Sequence, residues 1–283
     1  MKLSVKACAK INLTLDITGV RDDGYHLLDM IMQSVGLCDR LTVETDDSGV
    51  IEVTSSNNTL GGEDDIAYKA AKLFLEAVCS HKGVKIYIDK KIPTAAGLGG
   101  GSADAAAVLL ALNRIFGDVL SLDRLEELSL KLGADVPYFL HGGTVAVSGI
   151  GDVFERLQDM PHCHIVIAKN AAKPSTGEMY RRIDSSPVYH PDNKKARKAL
   201  ANGDLTLLCR AAENVFSQLW NCEDVENIMR GCQADAVSLS GSGPSYFAIF
   251  KDARQAAACY QALLDANITA FLTEPTAAAI IFE

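Results

Sequence analysis

The chain has 283 residues, 48% hydrophobic and 22% charged, which is enough apolar material for a sizeable core in two domains or one large one. Its 36 acidic and 27 basic residues leave a net charge of −9, which excludes a broad nucleic-acid-binding face. No apolar run approaches the roughly 18–20 residues of a membrane span. Met1 to Lys6 passes straight into strand pattern, with neither a secretory signal nor a transit peptide, so a cytoplasmic protein is expected. The eight cysteines form no C-x-x-C pair and are expected as reduced thiols.

In chain order, Ala9 to Ile17 alternates as a strand. Ile11, Leu13, Leu15 and Ile17 are expected on one face, and Lys10, Asn12, Thr14 and Asp16 on the other. A turn-rich loop runs from Gly19 to Gly24, with Tyr25 and His26 behind it. Leu41 to Thr45 and Val50 to Thr54 read as strands flanking a turn. Asp64 or Asp65 caps a helix whose apolar residues, Ile66 to Val78, recur at helical spacing. Val84 to Ile88 is the next strand.

Lys91 to Ala107 holds Gly97, Gly99, Gly100 and Gly101 just before an Ala-rich helix, Ser102 to Ile115. Glycine lets backbone N–H groups approach an oxyanion, and a helix N-terminus favours negative charge. No Lys follows the glycines, as G-x-x-x-x-G-K-S/T requires. Eight residues separate Ile88 from Gly97, against a dinucleotide fingerprint, and Ser102 is not in G-x-S-x-G. A phosphate cradle and a plain loop capped by Ser102 both remain open.

A helix is expected over Leu122 to Leu132, ended by Gly133. Asp135, two residues before Pro137, suits an N-cap of the next helix. Thr144 to Val147 is a short strand, and a domain boundary is placed after residue 153, giving 1–153 and 154–283. His162-Cys163-His164 enters an apolar strand with no second ligand cluster, so no metal site is expected. Beyond it come strand Ile165–Ala168 and helices Lys194–Ala201, Leu205–Leu219 and Val225–Arg230. Strand Ala236–Leu239, a Gly241-Ser242-Gly243 turn and strand Tyr246–Phe250 follow. Helix Ala253–Leu264 and strands Ile268–Leu272 and Ala277–Phe282 complete the chain. Tyr180 stands at helical spacing with Ile183. This order suits an α+β layer better than a repeating βαβ sheet.

Ala9-Lys10-Ile11-Asn12-Leu13, Gly24-Tyr25-His26, the run Gly97 to Ala107, Leu132 to Pro137 and Ser238 to Ser245 occur in one order along the chain. Together they resemble the galactokinase, homoserine kinase, mevalonate kinase and phosphomevalonate kinase superfamily. The finer pattern is similar to the branch that phosphorylates 4-diphosphocytidyl-2-C-methyl-D-erythritol on its 2-hydroxyl, in the non-mevalonate route to isoprenoid precursors. The resemblance covers nearly the whole chain.

It implies an N-terminal domain like ribosomal protein S5 domain 2 and a ferredoxin-like C-terminal domain. It implies ATP as phosphoryl donor, Mg²⁺ with the ATP, and a cytidine-diphosphate-linked polyol as substrate. No nucleic acid or membrane partner is expected, and the protein is expected as a monomer or weak dimer. By resemblance Asp135 takes the proton of the substrate hydroxyl and Lys10 stabilises the reacting oxygen. ATP falls to Asp65, Ile66, Lys91, Pro93, Gly97, Leu98, Gly99, Gly100, Gly101, Ser102 and Ala103, with Lys90 the alternative to Lys91. The substrate falls to Asn12, Tyr25, His26, Tyr180, Gly241 and Ser242, with Tyr25 and Tyr180 stacking on cytosine and His26 bonding its edge.

Overall fold

The computed structural model describes residues 1–57, 61–169 and 174–283. Two sheets carry the chain. The first is built from β1 (Lys2–Val20), β2 (His26–Asp46), β3 (Ile51–Ser55) and, after helix α1 (Ile66–Ala77), β4 (Gly83–Asp89). Helices α2 (Gly100–Ile115), α3 (Leu122–Leu130) and α4 (Val136–His141) follow, then β5 (Thr144–Gly149) and β6 (Val153–Arg156). The second sheet begins with β7 (His164–Lys169). Helices α5 (Thr176–Asp184), α6 (Asn193–Ala201) and α7 (Leu205–Ala211), a 3₁₀ turn Val215–Gln218 and α8 (Glu223–Gly231) come next. The chain closes with β8 (Ala236–Leu239), β9 (Ser245–Phe250), α9 (Ala253–Asp265), β10 (Thr269–Thr273) and β11 (Ile280–Phe282).

The first sheet runs β11-β1-β2-β4-β3, with β5 on the other half of β2 and β6 beyond it. The second runs β10-β7-β9-β8, every pair antiparallel. That order is the ferredoxin-like arrangement. The last strand does return to the first sheet, where Val5 pairs with Phe282. The boundary expected after residue 153 falls inside β6, because that strand makes a hairpin with β5.

Three expectations are corrected. First, β1 does not keep one apolar face. A bulge between Asn12 and Thr14 reverses the alternation. Ile11 and Leu13 pack with the second sheet's Ile165 and Phe247, whereas Leu15 and Ile17 join the cluster of Met30 and Met32. Second, β2 starts at His26 rather than near Leu41, because residues 30–35 are buried on both faces and give no period-two signal. Third, Cys8 and Cys38 stand opposite each other across β1 and β2 and are joined as a disulfide, so not all eight cysteines are reduced.

The helix expected over Leu205–Leu219 breaks after Ala211. Glu213 O accepts from Leu15 N there, and Asn214 Oδ1 caps the 3₁₀ turn. One edge of β1 is therefore shared. Cys8 N donates to Ala279 O beside β11, Lys10 N to Leu98 O of the glycine loop, and Leu15 N to Glu213 O. That edge brings the pieces of the site together. Among the described residues no helix is long and apolar enough to cross a membrane.

Candidate active site

The glycine loop is held from below by a buried ionic cluster. Asp39 Oδ1 accepts the backbone N–H of Lys91 (2.5 Å) and Ile92 (2.8 Å). Lys90 Nζ donates to Asp39 Oδ2 at 2.5 Å and to Asp104 Oδ2 on α2 at 2.6 Å. Burial alone would lower the Lys90 pKa, but the two carboxylates outweigh it and raise it. Burial, with Asp39 adding to it against the pull of Lys90, lifts Asp104 to about 8. The loop's entry and the first turn of α2 are thereby tied together.

Two glycines fix the loop's shape. Gly97 has φ +75°, and a Cβ there would lie 2.3 Å from Ser240 O. Gly99 has φ +72°, and a Cβ would lie 2.5 Å from the Phe139 ring and 3.2 Å from Lys10 Cγ. Gly99 is the N-cap of α2, which opens at Gly100. Ser102 therefore lies inside the first turn and does not cap its own helix, the plain alternative for it. Above the loop is a cavity of about 340 Å³, lined by Asp65, Ile66, Lys90, Pro93, Gly99 and Ser102 among others. The free N–H groups of the α2 N-terminus face negative charge favourably.

A second cavity, of about 240 Å³, shares Gly97 with the first in its lining. Lys10 and Asp135 lie in its wall. Lys10 is 4% exposed and donates from Nζ to Asn12 Oδ1 at 2.7 Å. Its Nζ lies 4.0 Å from Asp135 Oδ2, whose side chain is 42% exposed. Burial lowers the Lys10 pKa, and the Asp135 charge opposes that shift. Asp135 occupies the N-cap position of α4 but makes no side-chain cap hydrogen bond. Its carboxylate is turned to the cavity, and the cap expected from the sequence is not formed.

The second domain closes this cavity. Gly241 N donates to Asn12 Oδ1 at 2.9 Å, and Ser240 Oγ to Gly97 O at 2.9 Å. Asn12 thus orients Lys10 and holds the Gly241-Ser242-Gly243 turn against the glycine loop. Asn214 Nδ2 supports the turn through Leu239 O and Gly241 O, both at 2.8 Å. The other walls are Leu15, Leu28, Met30, Met32, Tyr180 and Phe216. Tyr180 packs edge-on to Phe216 at 5.1 Å and against His26 at 4.7 Å.

Several expected residues have other contacts or do not line the cavities. Tyr25 is 60% exposed at the loop tip and does not line the cavity. His26 Nε2 is 2.8 Å from Asp184 Oδ1. Asp65 spends its carboxylate on capping α1 through Ala67 N and on Gly61 N. Lys91 is exposed, 3.4 Å from Asp89, and it is Lys90 that lines the cavity. Leu98 and Ala103 are fully buried. The sequence did not single out Asp39, Asp104, Asp184, Asn214, Phe216 or the two methionines. Each reaches the site through tertiary contact, and only the Asx-type cap at Asn214 had a local signal.

Residues 65–143 match the GHMP kinases N terminal domain and residues 196–268 the GHMP kinases C terminal domain. A 4-diphosphocytidyl-2-C-methyl-D-erythritol kinase of Clostridium tetani is 40% identical over 266 residues, covering 92% of this chain and 95% of that protein. A counterpart from Bacillus pumilus is 40% identical over 257 residues, covering 89% of each chain. The crystal structure of a 4-(cytidine 5'-diphospho)-2C-methyl-D-erythritol kinase superposes with a TM-score of 0.79 at 33% identity, covering 97% of this chain and 99% of that one. A homoserine kinase from Cytophaga hutchinsonii shares the fold, with a TM-score of 0.78 at 21% identity and coverage of 100% and 97%.

Proposed function

Because this chain belongs to the 4-diphosphocytidyl-2-C-methyl-D-erythritol kinase family of the GHMP kinases, we infer that its two neighbouring cavities are the donor and acceptor sites of that reaction. The chain is an ATP-dependent kinase that transfers a phosphoryl group to the 2-hydroxyl of 4-diphosphocytidyl-2-C-methyl-D-erythritol, a step in making isoprenoid precursors. The observation that carries the division of roles is Asp135, a carboxylate without a cap bond, 4.0 Å from the buried ammonium of Lys10.

ATP enters the cavity above the glycine loop. Its phosphates lie on the N–H groups of the loop and of α2, in a loop whose shape depends on Gly97 and Gly99, since a Cβ at either would run into Ser240 or Phe139. Adenine lies beside Ile66. The Ser102 hydroxyl, in the cavity lining, would be this chain's ligand for a Mg²⁺ bound with the triphosphate, which would screen the phosphate charge. The acceptor hydroxyl sits between Lys10 and Asp135. Asp135 takes its proton, and Lys10 stabilises the oxygen as negative charge builds there. Phosphoryl transfer has a loose transition state, so placing the two reactants in line does most of the work.

Cytosine is held by the aromatic end of the acceptor cavity. Tyr180 offers a face, backed by Phe216 and His26. Tyr25 closes on the base from the loop tip when substrate is present. Stacking of one base is worth about 1–3 kcal/mol. Tyr180→Ala and Tyr25→Ala are therefore each expected to weaken the cytidine substrate roughly 5- to 150-fold while ATP affinity holds.

The deciding experiment is ADP release by the purified chain with 4-diphosphocytidyl-2-C-methyl-D-erythritol, homoserine and mevalonate in parallel. Turnover with the cytidine substrate alone is expected. Turnover with homoserine or mevalonate and none with the cytidine compound would reject the acceptor assignment.

A further inference from the structure

Away from the two cavities, His162, His164 and Glu274 bring their ligand atoms within 4.8 Å of one another. The two imidazoles come from the entry to β7, with ring centroids 5.3 Å apart. Glu274 follows β10, the strand that pairs with β7, where Thr273 lies opposite Ile165. It therefore faces His164 one step past the ladder. Backbone bonds fix it there, since Glu274 O accepts from Gly36 N at 2.9 Å and Thr276 N donates to Ser34 O at 2.9 Å. Cys163 between the histidines is buried, and burial pushes its thiol up to about 12, so it stays protonated in the core.

We propose that His162, His164 and Glu274 form a binding site for one borderline divalent transition-metal ion, of which Zn²⁺ is the type. His164 Nδ1 and Glu274 Oε1 are already 3.1 Å apart. Two ligands each about 2.0–2.1 Å from a tetrahedral ion stand about 3.3 Å apart, so these two need almost no movement. His162 is exposed and turns in by side-chain rotation. Two imidazoles and one carboxylate suit Zn²⁺, Ni²⁺ or Cu²⁺ and are a poor set for Mg²⁺, which prefers oxygen ligands. Water completes the coordination on the exposed side. The ion has a structural task. Glu274 opens the segment that leads from the second sheet back to the first, and a metal bond there clamps the segment to the base of β7.

The test uses the full chain stripped of metal. ZnCl₂, titrated calorimetrically and by thermal melting, is expected to bind at one ion per chain. It should raise the melting temperature by about 5 °C at a hundredfold excess over the dissociation constant. MgCl₂ in the same range should do neither. Co²⁺ serves as the optical probe. It is expected to give d–d bands without the intense sulfur charge-transfer band that a cysteine site would produce. His162→Ala, at an exposed position, is expected to lower Zn²⁺ affinity at least tenfold and so cut the melting shift at the same Zn²⁺ concentration to about half or less, without altering the metal-free fold. Glu274→Gln should do the same more weakly. A parent protein without a melting shift, a shift undiminished by His162→Ala, or a sulfur band would each overturn the proposal.

Discussion

At the scale of single residues the site turns on Asp135 and Lys10. Asp135→Asn removes the base and no cap bond, so turnover is expected to fall about 10²–10⁴-fold with thermal stability nearly unchanged. Initial rates and a melting curve on one preparation check both halves. A loss of stability at full turnover would return Asp135 to a capping role. Lys10→Met should likewise depress turnover more than substrate affinity. Because burial lowers the Lys10 pKa, the rate of the parent is expected to fall as pH rises through a value below that of an ordinary lysine. Asp104 makes the opposite kind of statement. Burial lifts its carboxyl to about 8 when folded, against an ordinary value near 4 in the unfolded chain. Its contribution to stability is therefore complete below about pH 4 and is lost as pH rises through about 8. Denaturant unfolding across that window should show the decline, and Asp104→Asn should flatten it.

At the scale of elements the glycine loop separates two kinds of glycine. A Cβ at Gly97 would press on the backbone of Ser240 at 2.3 Å in a left-handed conformation, whereas one at Gly101 meets only Ile66 Cγ2 at 3.6 Å. Gly97→Ala is expected to push the Gly241 turn off the loop, weakening both ATP and acceptor binding and costing about 1–3 kcal/mol of stability. Gly101→Ala should fold as the parent does. Calorimetric titration with ATP distinguishes them. The glycine loop, the Ala-rich helix and the pair Lys10 and Asn12 were legible in the sequence because their signals are local. The bulge in β1 was not, since nothing in Asn12-Leu13-Thr14 announces an extra residue in the ladder. The upper half of β2 hid for a related reason. A strand buried on both faces has no polar beat to follow. Asp65 reads correctly as a cap, and it also lines the cavity where the resemblance places adenine.

At the scale of the whole molecule, the resemblance carried over nearly the full chain foretold which regions meet, but not how they are fastened. The buried triad of Asp39, Lys90 and Asp104 draws on β2, the loop after β4 and α2, and Asn214 anchors a turn that lies after β8. Such partners are far apart in sequence and chemically ordinary when read one at a time. The shared edge of β1 has a further consequence. The amides of Cys8, Lys10 and Leu15 are bonded in turn to the C-terminal return, the phosphate-facing loop and the approach to the 3₁₀ turn. None of these amides is free to trade its proton for deuterium while its visitor remains docked. Releasing all three requires the C-terminal return, the glycine loop and the connection before the 3₁₀ turn all to leave. Native-state hydrogen exchange should therefore find these amides among the slowest, opening at the free energy of global unfolding, and denaturant should melt the two sheets in one transition.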